Sequence, residues 1–324
     1  MTKHLPLAQH LKSCSPIVFG CMGLGGDWDQ SPITKNNIQD AHTAIDAALE
    51  FGINLFDHAD IYTFGKAELV FGEVLKQRPE LAQHIYIQSK CGIRFADENA
   101  PKRYDFSESW IKESTNNILK RLGVEQLDTL LLHRPDPLMN VEEVAYAFES
   151  LMAQGKVKHF GVSNMPAPQM AWLQSVLDQP LVCNQLEISL SKLDWLDQNV
   201  VANSFEAPAS NFVPGTIEYC QQNKVQLQAW GCLSQGLFTG NSLESAPEHV
   251  KNTAKLVKQL AVDYQVPPEA IVLAFIMRHP AKIQPVIGTT NPQRIKACAM
   301  ASDIELSREH WYQLYVSARG QELP

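Results

Sequence analysis

Short apolar runs alternate with amphipathic stretches along the whole chain. The runs at 17–22 (IVFGCM), 53–57 (INLFD), 85–90 (IYIQSK), 127–133 (LDTLLLH), 158–164 (KHFGVSN), 181–187 (LVCNQLE), 225–230 (VQLQAW) and 283–288 (IQPVIG) predict eight β-strands. Between them, apolar positions recur at helical spacing. Ile38, Ala41, Ile45, Ala48 and Leu49 share one face ahead of Gly52. Ile111, Thr115, Ile118, Leu119 and Leu122 share another between Ser107, a candidate N-cap, and Gly123. Further helices are expected over 67–77, 141–154, 167–178, 215–223, 249–264 and 292–301. Two more lie outside the repeat, from the Val266–Pro267–Pro268 start to about His279 and over 307–318.

Eight strands, each followed by a helix, are what a closed (β/α)8 TIM barrel requires, so the expected class is α/β. An open doubly wound sheet usually has fewer strands, and GCMGLGG at 20–26 only loosely imitates the dinucleotide-binding G-x-G-x-x-G. No low-complexity linker divides the chain, and residues 1–324 are expected to form one domain with extra helices and long loops at the C-terminal face. The longest connection, 187–213, follows the sixth strand and reads as a substrate-facing loop.

Composition narrows the function. With 45% hydrophobic and 19% charged residues the chain has material for a large core, and disorder is not expected. The formal net charge of −8 argues against nucleic-acid or anionic-membrane partners, which select for excess Lys and Arg. No run approaches the roughly 18 apolar residues of a membrane span, and MTKHLPLAQHLKSCSP lacks the apolar segment of a secretion signal, so a cytoplasmic address is expected. The seven cysteines are scattered with no C-x-x-C pair, which reads as reduced thiols.

In a parallel barrel the C-terminal strand ends converge on one mouth. Polar residues end three consecutive apolar runs there: Asp57, Lys90 and His133, with Tyr62 on the loop after the second. A phenol with an ordinary pKa of about 10 holds its proton at neutral pH, and a neighbouring ammonium is expected to lower that value. Lys90 supplies the charge, Asp57 keeps the lysine protonated and aimed, and His133 donates a hydrogen bond to the substrate oxygen.

These residues, within DHADIY, QSKCG and LLLHRPD, resemble the catalytic tetrad of the aldo-keto reductases. The likeness runs on from FGCMGLG through GVSN and CNQLE to VIGTTNPQRI. The resemblance implies that NADPH, NADP(H) being the cofactor, lies across the mouth and passes hydride to the carbonyl carbon of a small aldehyde or ketone while Tyr62 protonates its oxygen. It assigns cofactor contacts to Gly20, Cys21 and Met22, to Asp57, to Ser163, Asn164 and Gln185 at the carboxamide, and to Trp230, Gly231, Cys232 and Leu233 at and after the ring-stacking position. Gly288, Thr289, Thr290, Arg294 and Cys298 belong to the phosphate and adenosine end, Arg294 gripping the 2′-phosphate. Gly288 stands where many members carry a lysine, Gly231 replaces a serine, and Ala297 and Cys298 replace an acid and an amide that often contact adenine. Trp28, Phe64 and Trp195 are candidates for an aromatic substrate pocket.

Three rivals use the same residues. A metal-dependent hydrolase would ligate through Asp57, His58, Asp60 and His133; a Schiff-base aldolase would use Lys90 with a depressed pKa. Some relatives of the resembled family are cofactor-binding regulatory subunits, for which slow turnover suffices.

Overall fold

A computed structural model describes residues 5–202, 204 and 211–324. All eight expected strands form, with a short two-stranded ribbon inserted after the third. In chain order they are β1 Val18–Gly20, β2 Leu55–Asp57, β3 Tyr86–Cys91, β4 Ile93–Arg94, β5 Arg103–Tyr104, β6 Leu127–Leu132, β7 Val157–Ser163, β8 Leu181–Glu187, β9 Gln226–Trp230 and β10 Gln284–Ile287. The eight long-range strands close a parallel barrel in the order β1-β10-β9-β8-β7-β6-β3-β2, β1 pairing with β2 to shut it. The antiparallel β4–β5 ribbon was not expected, because two-residue strands carry no readable alternation.

The helices are α1 Lys35–Glu50, α2 Lys66–Gln77, α3 Glu108–Leu122, α4 Val141–Ala153, α5 Ala167–Gln174, α6 Asp194–Val200, α7 Thr216–Gln222, α8 Glu248–Asp263, α9 Pro268–Met277, α10 Pro292–Ala299 and α11 Arg308–Arg319. Their ends follow local chemistry. Thr34 and Asn37 cap α1 reciprocally, and Ser107 caps α3 by accepting from the Trp110 amide. Helix α6 occupies the expected long connection 187–213, of which residues 203 and 205–210 lie outside those described. Among the described residues no single helix is long and apolar enough to cross a membrane; α8 and α9 would pass only as a pair, and they are bent by 97°.

One close approach bears on the mouth. A Cβ on Gly72 in α2 would come 2.3 Å from the Arg121 carbonyl in α3, so only glycine lets the two helices pack this tightly. The approach brings Arg121 Nε within 2.7 Å of Glu68 Oε2, while Glu68 Oε1 accepts from Ser89 Oγ at 2.7 Å. This braces β3 from outside, one residue before Lys90.

Candidate active site

Register fixes the rim. Asp57 pairs with Gly20 of β1 and with Gln88 of β3, and the two-residue period of a strand returns the Lys90 side chain to the face that carries Gln88. Lys90 and Asp57 are both buried. Lys90 Nζ donates to Asp57 Oδ2 at 2.7 Å, to the His58 carbonyl at 2.9 Å and to Tyr62 Oη at 2.9 Å. An ammonium has three donors and no acceptor, so Tyr62 Oη must accept from it. The phenolic proton is thereby left for another partner.

Beneath this chain lies a layer of amides of which sequence reasoning named only Gln185. Gln88 Nε2 and Gln185 Nε2 donate to Asp57 Oδ1 at 2.6 and 3.1 Å, and both also donate to Gln228 Oε1, at 2.9 and 3.1 Å. Gln228 Nε2 passes the network on to Gln284 Oε1 at 3.3 Å. Four barrel strands contribute one glutamine each, which satisfies the carboxylate in a space otherwise filled by apolar side chains. The signal was a polar residue inside the runs IYIQSK and VQLQAW.

Burial and charge act against each other on Tyr62 and Lys90, and together on His133. Burial pushes the Tyr62 phenol above its ordinary value, and the Lys90 ammonium, which pulls it down, does not win. The sequence-based expectation of a lowered phenol is therefore corrected: desolvation of the phenolate outweighs the neighbouring cation. Tyr62 is held as a protonated acid. Burial alone would lower the Lys90 pKa, but Asp57 and then Tyr62 reverse this and raise it, the opposite of what a Schiff-base lysine needs. Burial, then Lys90, Arg134 and Lys102, hold the His133 pKa well below its usual value, so the imidazole is neutral. Its Nδ1 is buried without a partner, leaving Nε2 to meet a ligand, and its ring stands edge-on to Tyr62 with centroids 6.1 Å apart.

The metal-ligand reading does not survive this geometry. Asp57 is held by Lys90, and the Asp60 carboxyl is pushed up to about 8, by burial first and Glu68 second, which keeps it protonated at neutral pH. Among the described residues no three His, Cys, Asp or Glu side chains converge as ligands.

His58 is wholly buried with neither ring nitrogen bonded, and its ring packs edge-on against Phe71 at 4.6 Å. Burial, then Lys90, push its pKa down to about 3. Because the folded value lies below the unfolded value of about 6.5, the protein is stabilised above pH 6.5 and loses that contribution as pH falls toward 3. A His58→Leu variant is expected to lose less melting temperature between pH 6.5 and 4 than the parent; identical acid limbs would show that His58 does not drive this loss.

Around the mouth, Ser163 Oγ donates to the Gln185 carbonyl at 2.9 Å. Asn164 Nδ2 donates to the His133 carbonyl at 3.1 Å, and Trp230 Nε1 donates to Asn164 Oδ1 at 3.0 Å. Ser163, Asn164, Gln185 and Trp230 thus form one connected wall. Met22 is exposed while Cys21 is fully buried, and Gly20 answers to strand packing, since a Cβ there would come 2.9 Å from the Ile287 carbonyl. Gly231 is exposed with φ +68°, whereas Cys232 and Leu233 are buried, Cys232 Sγ donating to the Val286 carbonyl. Gly288 faces open space, with no atom within 4 Å of an added Cβ. Thr289 and Thr290 lead from it to α10, where Arg294 Nε lies 3.3 Å from Glu269 Oε1 and Nη2 donates to Thr239 Oγ1 at 3.3 Å.

Of the expected cofactor contacts, the Cys298 side chain is buried in the hydrophobic core on the inner face of α10, and those of Cys21 and Cys232 are buried as well, which leaves backbone atoms to face a ligand at these positions. The aromatic-pocket expectation needs correction at one residue. Trp195 is not at the mouth; it is 1% exposed in α6, packed edge-on to Phe275 and His279, and it lines a separate cavity with Trp311 and Tyr315. Trp28 and Phe64 do come together, exposed, with ring centroids 6.1 Å apart, and Phe95 stacks on Phe64 at 4.7 Å. Phe95 was missed because it sits in the unexpected ribbon insertion.

A model described as the aldo/keto reductase family matches residues 16–315. Among curated proteins, the 6-dehydroglucose reductase of Agrobacterium fabrum is 36% identical over 95% of this chain and 96% of its own length. Oxidoreductase YdhF of Escherichia coli is 33% identical over 100% of both. Among solved structures, the aldo-keto reductase from Klebsiella pneumoniae in complex with NADPH superposes with a TM-score of 0.70 at 22% identity, covering 96% of this chain and 92% of that one, which is a likeness of fold.

Proposed function

Because this chain belongs to the aldo/keto reductase family, we propose that it reduces aldehyde or ketone carbonyls to alcohols with NADPH, Tyr62 being the general acid. What supports this reading above all is the hydrogen-bonded chain from Asp57 through Lys90 to Tyr62 Oη, with links of 2.7 and 2.9 Å. It turns a half-buried phenol outward as a donor whose anion would be met at once by a positive charge.

The residues present fit the nucleotide. The open space at Gly288, the start of α10 and the half-exposed Arg294 suit phosphate groups, and the wall of Ser163, Asn164, Gln185 and Trp230, whose amide N–H groups are already used, leaves amide oxygens and an indole for a nicotinamide. When bound, NADPH supplies the hydride. The chain's own residues do the rest. Neutral His133 donates from Nε2 to the carbonyl oxygen and orients it. Tyr62 gives that oxygen its proton as negative charge develops there, Lys90 stabilises the phenolate left behind, and solvent later restores the proton. Asp57, fixed by Gln88 and Gln185, keeps Lys90 charged and aimed.

Fluorescence titration with NADPH and NADH, followed by a panel of aldehydes and ketones, tests the reading. Binding of neither nucleotide would overturn it. The same titration checks Arg294, whose guanidinium is oriented by Glu269 and Thr239. Arg294→Ala is expected to lower the NADPH-to-NADH affinity ratio by about 10- to 100-fold, the weight of charge-assisted hydrogen bonds to a phosphate. An unchanged ratio would place the phosphate elsewhere.

A further inference from the structure

The residue after His133 is not used by the chemistry above. Arg134 is half-buried at the mouth, its guanidinium carbon 5.5 Å from the centre of the Trp230 ring. Among the described residues it makes no hydrogen bond or ion pair, and its cation lies over the indole ring. It lines a cleft of about 240 Å³ with Asn164, Glu187, Lys192, Asp194 and Trp230. Glu187 there is already matched by Lys192 at 2.9 Å, and Asp194 belongs to the first turn of α6.

The charged neighbours that lower the His133 pKa are the cations Lys90, Arg134 and Lys102, while the anion Asp57 acts on Tyr62. Lys90 is matched by Asp57, so the excess belongs to Arg134 and Lys102. With its carbon 5.5 Å from the Trp230 ring centre and no hydrogen-bond partner among the described residues, the Arg134 guanidinium has N–H groups that match a carboxylate with two parallel bonds. A partly desolvated cation without a counter-ion is costly, and a ligand that supplies the counter-ion recovers the cost.

We propose that the substrates this site selects are carbonyl compounds that also carry a carboxylate, with Arg134 as the anchor that holds the carboxylate while the carbonyl oxygen meets Tyr62 and His133. The inference rests on the carbonyl-reductase reading and adds the substrate class. The carboxylate is unchanged by the reaction; it fixes which end of the molecule enters. Lys102 adds longer-range attraction that salt would screen.

The test uses the full chain with NADPH and two pairs of aldehydes, 3- and 4-carboxybenzaldehyde against their neutral carboxamide counterparts of the same shape. The protein is expected to favour the better-fitting carboxylate in kcat/KM by about 10- to 100-fold, mostly through KM, with the preference falling as salt rises. Arg134→Gln should collapse that preference and Arg134→Lys should restore part of it, while a melting curve and NADPH quenching verify that each variant is folded. Equal turnover of acid and amide, or a preference that survives Arg134→Gln, overturns the proposal while leaving carbonyl reduction standing. If no aldehyde of either kind is reduced although NADPH binds, the carbonyl-reductase reading fails and takes this one with it.

Discussion

Tyr62→Phe is expected to lower kcat for carbonyl reduction by about 10²- to 10⁴-fold, the range set by loss of a positioned general acid. The substitution removes one oxygen and leaves the rest of the network standing. Lys90 Nζ keeps the Asp57 carboxylate at 2.7 Å and the His58 carbonyl at 2.9 Å, so neither the lysine nor the aspartate is orphaned. Melting temperature should therefore move little, and NADPH quenching should persist. The alkaline limb carries a sign as well. Burial raises the phenol above its ordinary pKa against the pull of Lys90, and reduction requires the protonated form, so activity should hold through neutral pH and fall only as pH climbs past about 10. Unchanged single-turnover rates in Tyr62→Phe would refute the assigned acid.

Lys90→Met should cost both activity and stability. Methionine fills a similar volume, but Asp57, 1% exposed, would keep only the Gln88 and Gln185 amides as partners. Removing one member of a buried pair typically costs about 3–5 kcal/mol, because the remaining charge is stranded away from water. Turnover should fall by about 10²-fold or more, since the phenolate would form without its neighbouring cation. A double variant, Lys90→Met with Asp57→Asn, separates the two effects. It removes the stranded charge and should recover much of the lost stability while recovering none of the turnover. Recovery of activity in the double variant would mean that Lys90 serves only the fold.

Much of the architecture is legible in the chain. Each barrel strand was marked by an apolar run, and most expected helices agree with the structure to within a few residues, because burial on one or both faces imposes its period directly on the sequence. The ends were legible where the cap is a single residue, as at Ser107 and Gly123. The Asp57, Tyr62, Lys90 and His133 set was legible because polar residues interrupting apolar runs at strand ends must face a common mouth in a parallel barrel.

Other features were hidden for identifiable reasons. The glutamine layer under Asp57 draws Gln88, Gln185, Gln228 and Gln284 from β3, β8, β9 and β10, and which strands lie opposite across the interior is a property of closure and stagger, not of any one run. Trp195 looked like a mouth residue by its position after β8, yet α6 turns it against Phe275 and His279. Cys298 fell in a cofactor-like segment, but helical phase puts it on the inner face of α10.

The sequence by itself determined the barrel, the order of its units and the four polar groups at its rim, since local periodicity and strand direction are enough to specify them. Tertiary structure alone decided the charge state of those groups and their neighbours. Desolvation depends on how completely the walls close: at Tyr62 closure outweighs a cation 2.9 Å away and keeps the proton in place, and at His133 closure and the nearby cations together keep the ring neutral.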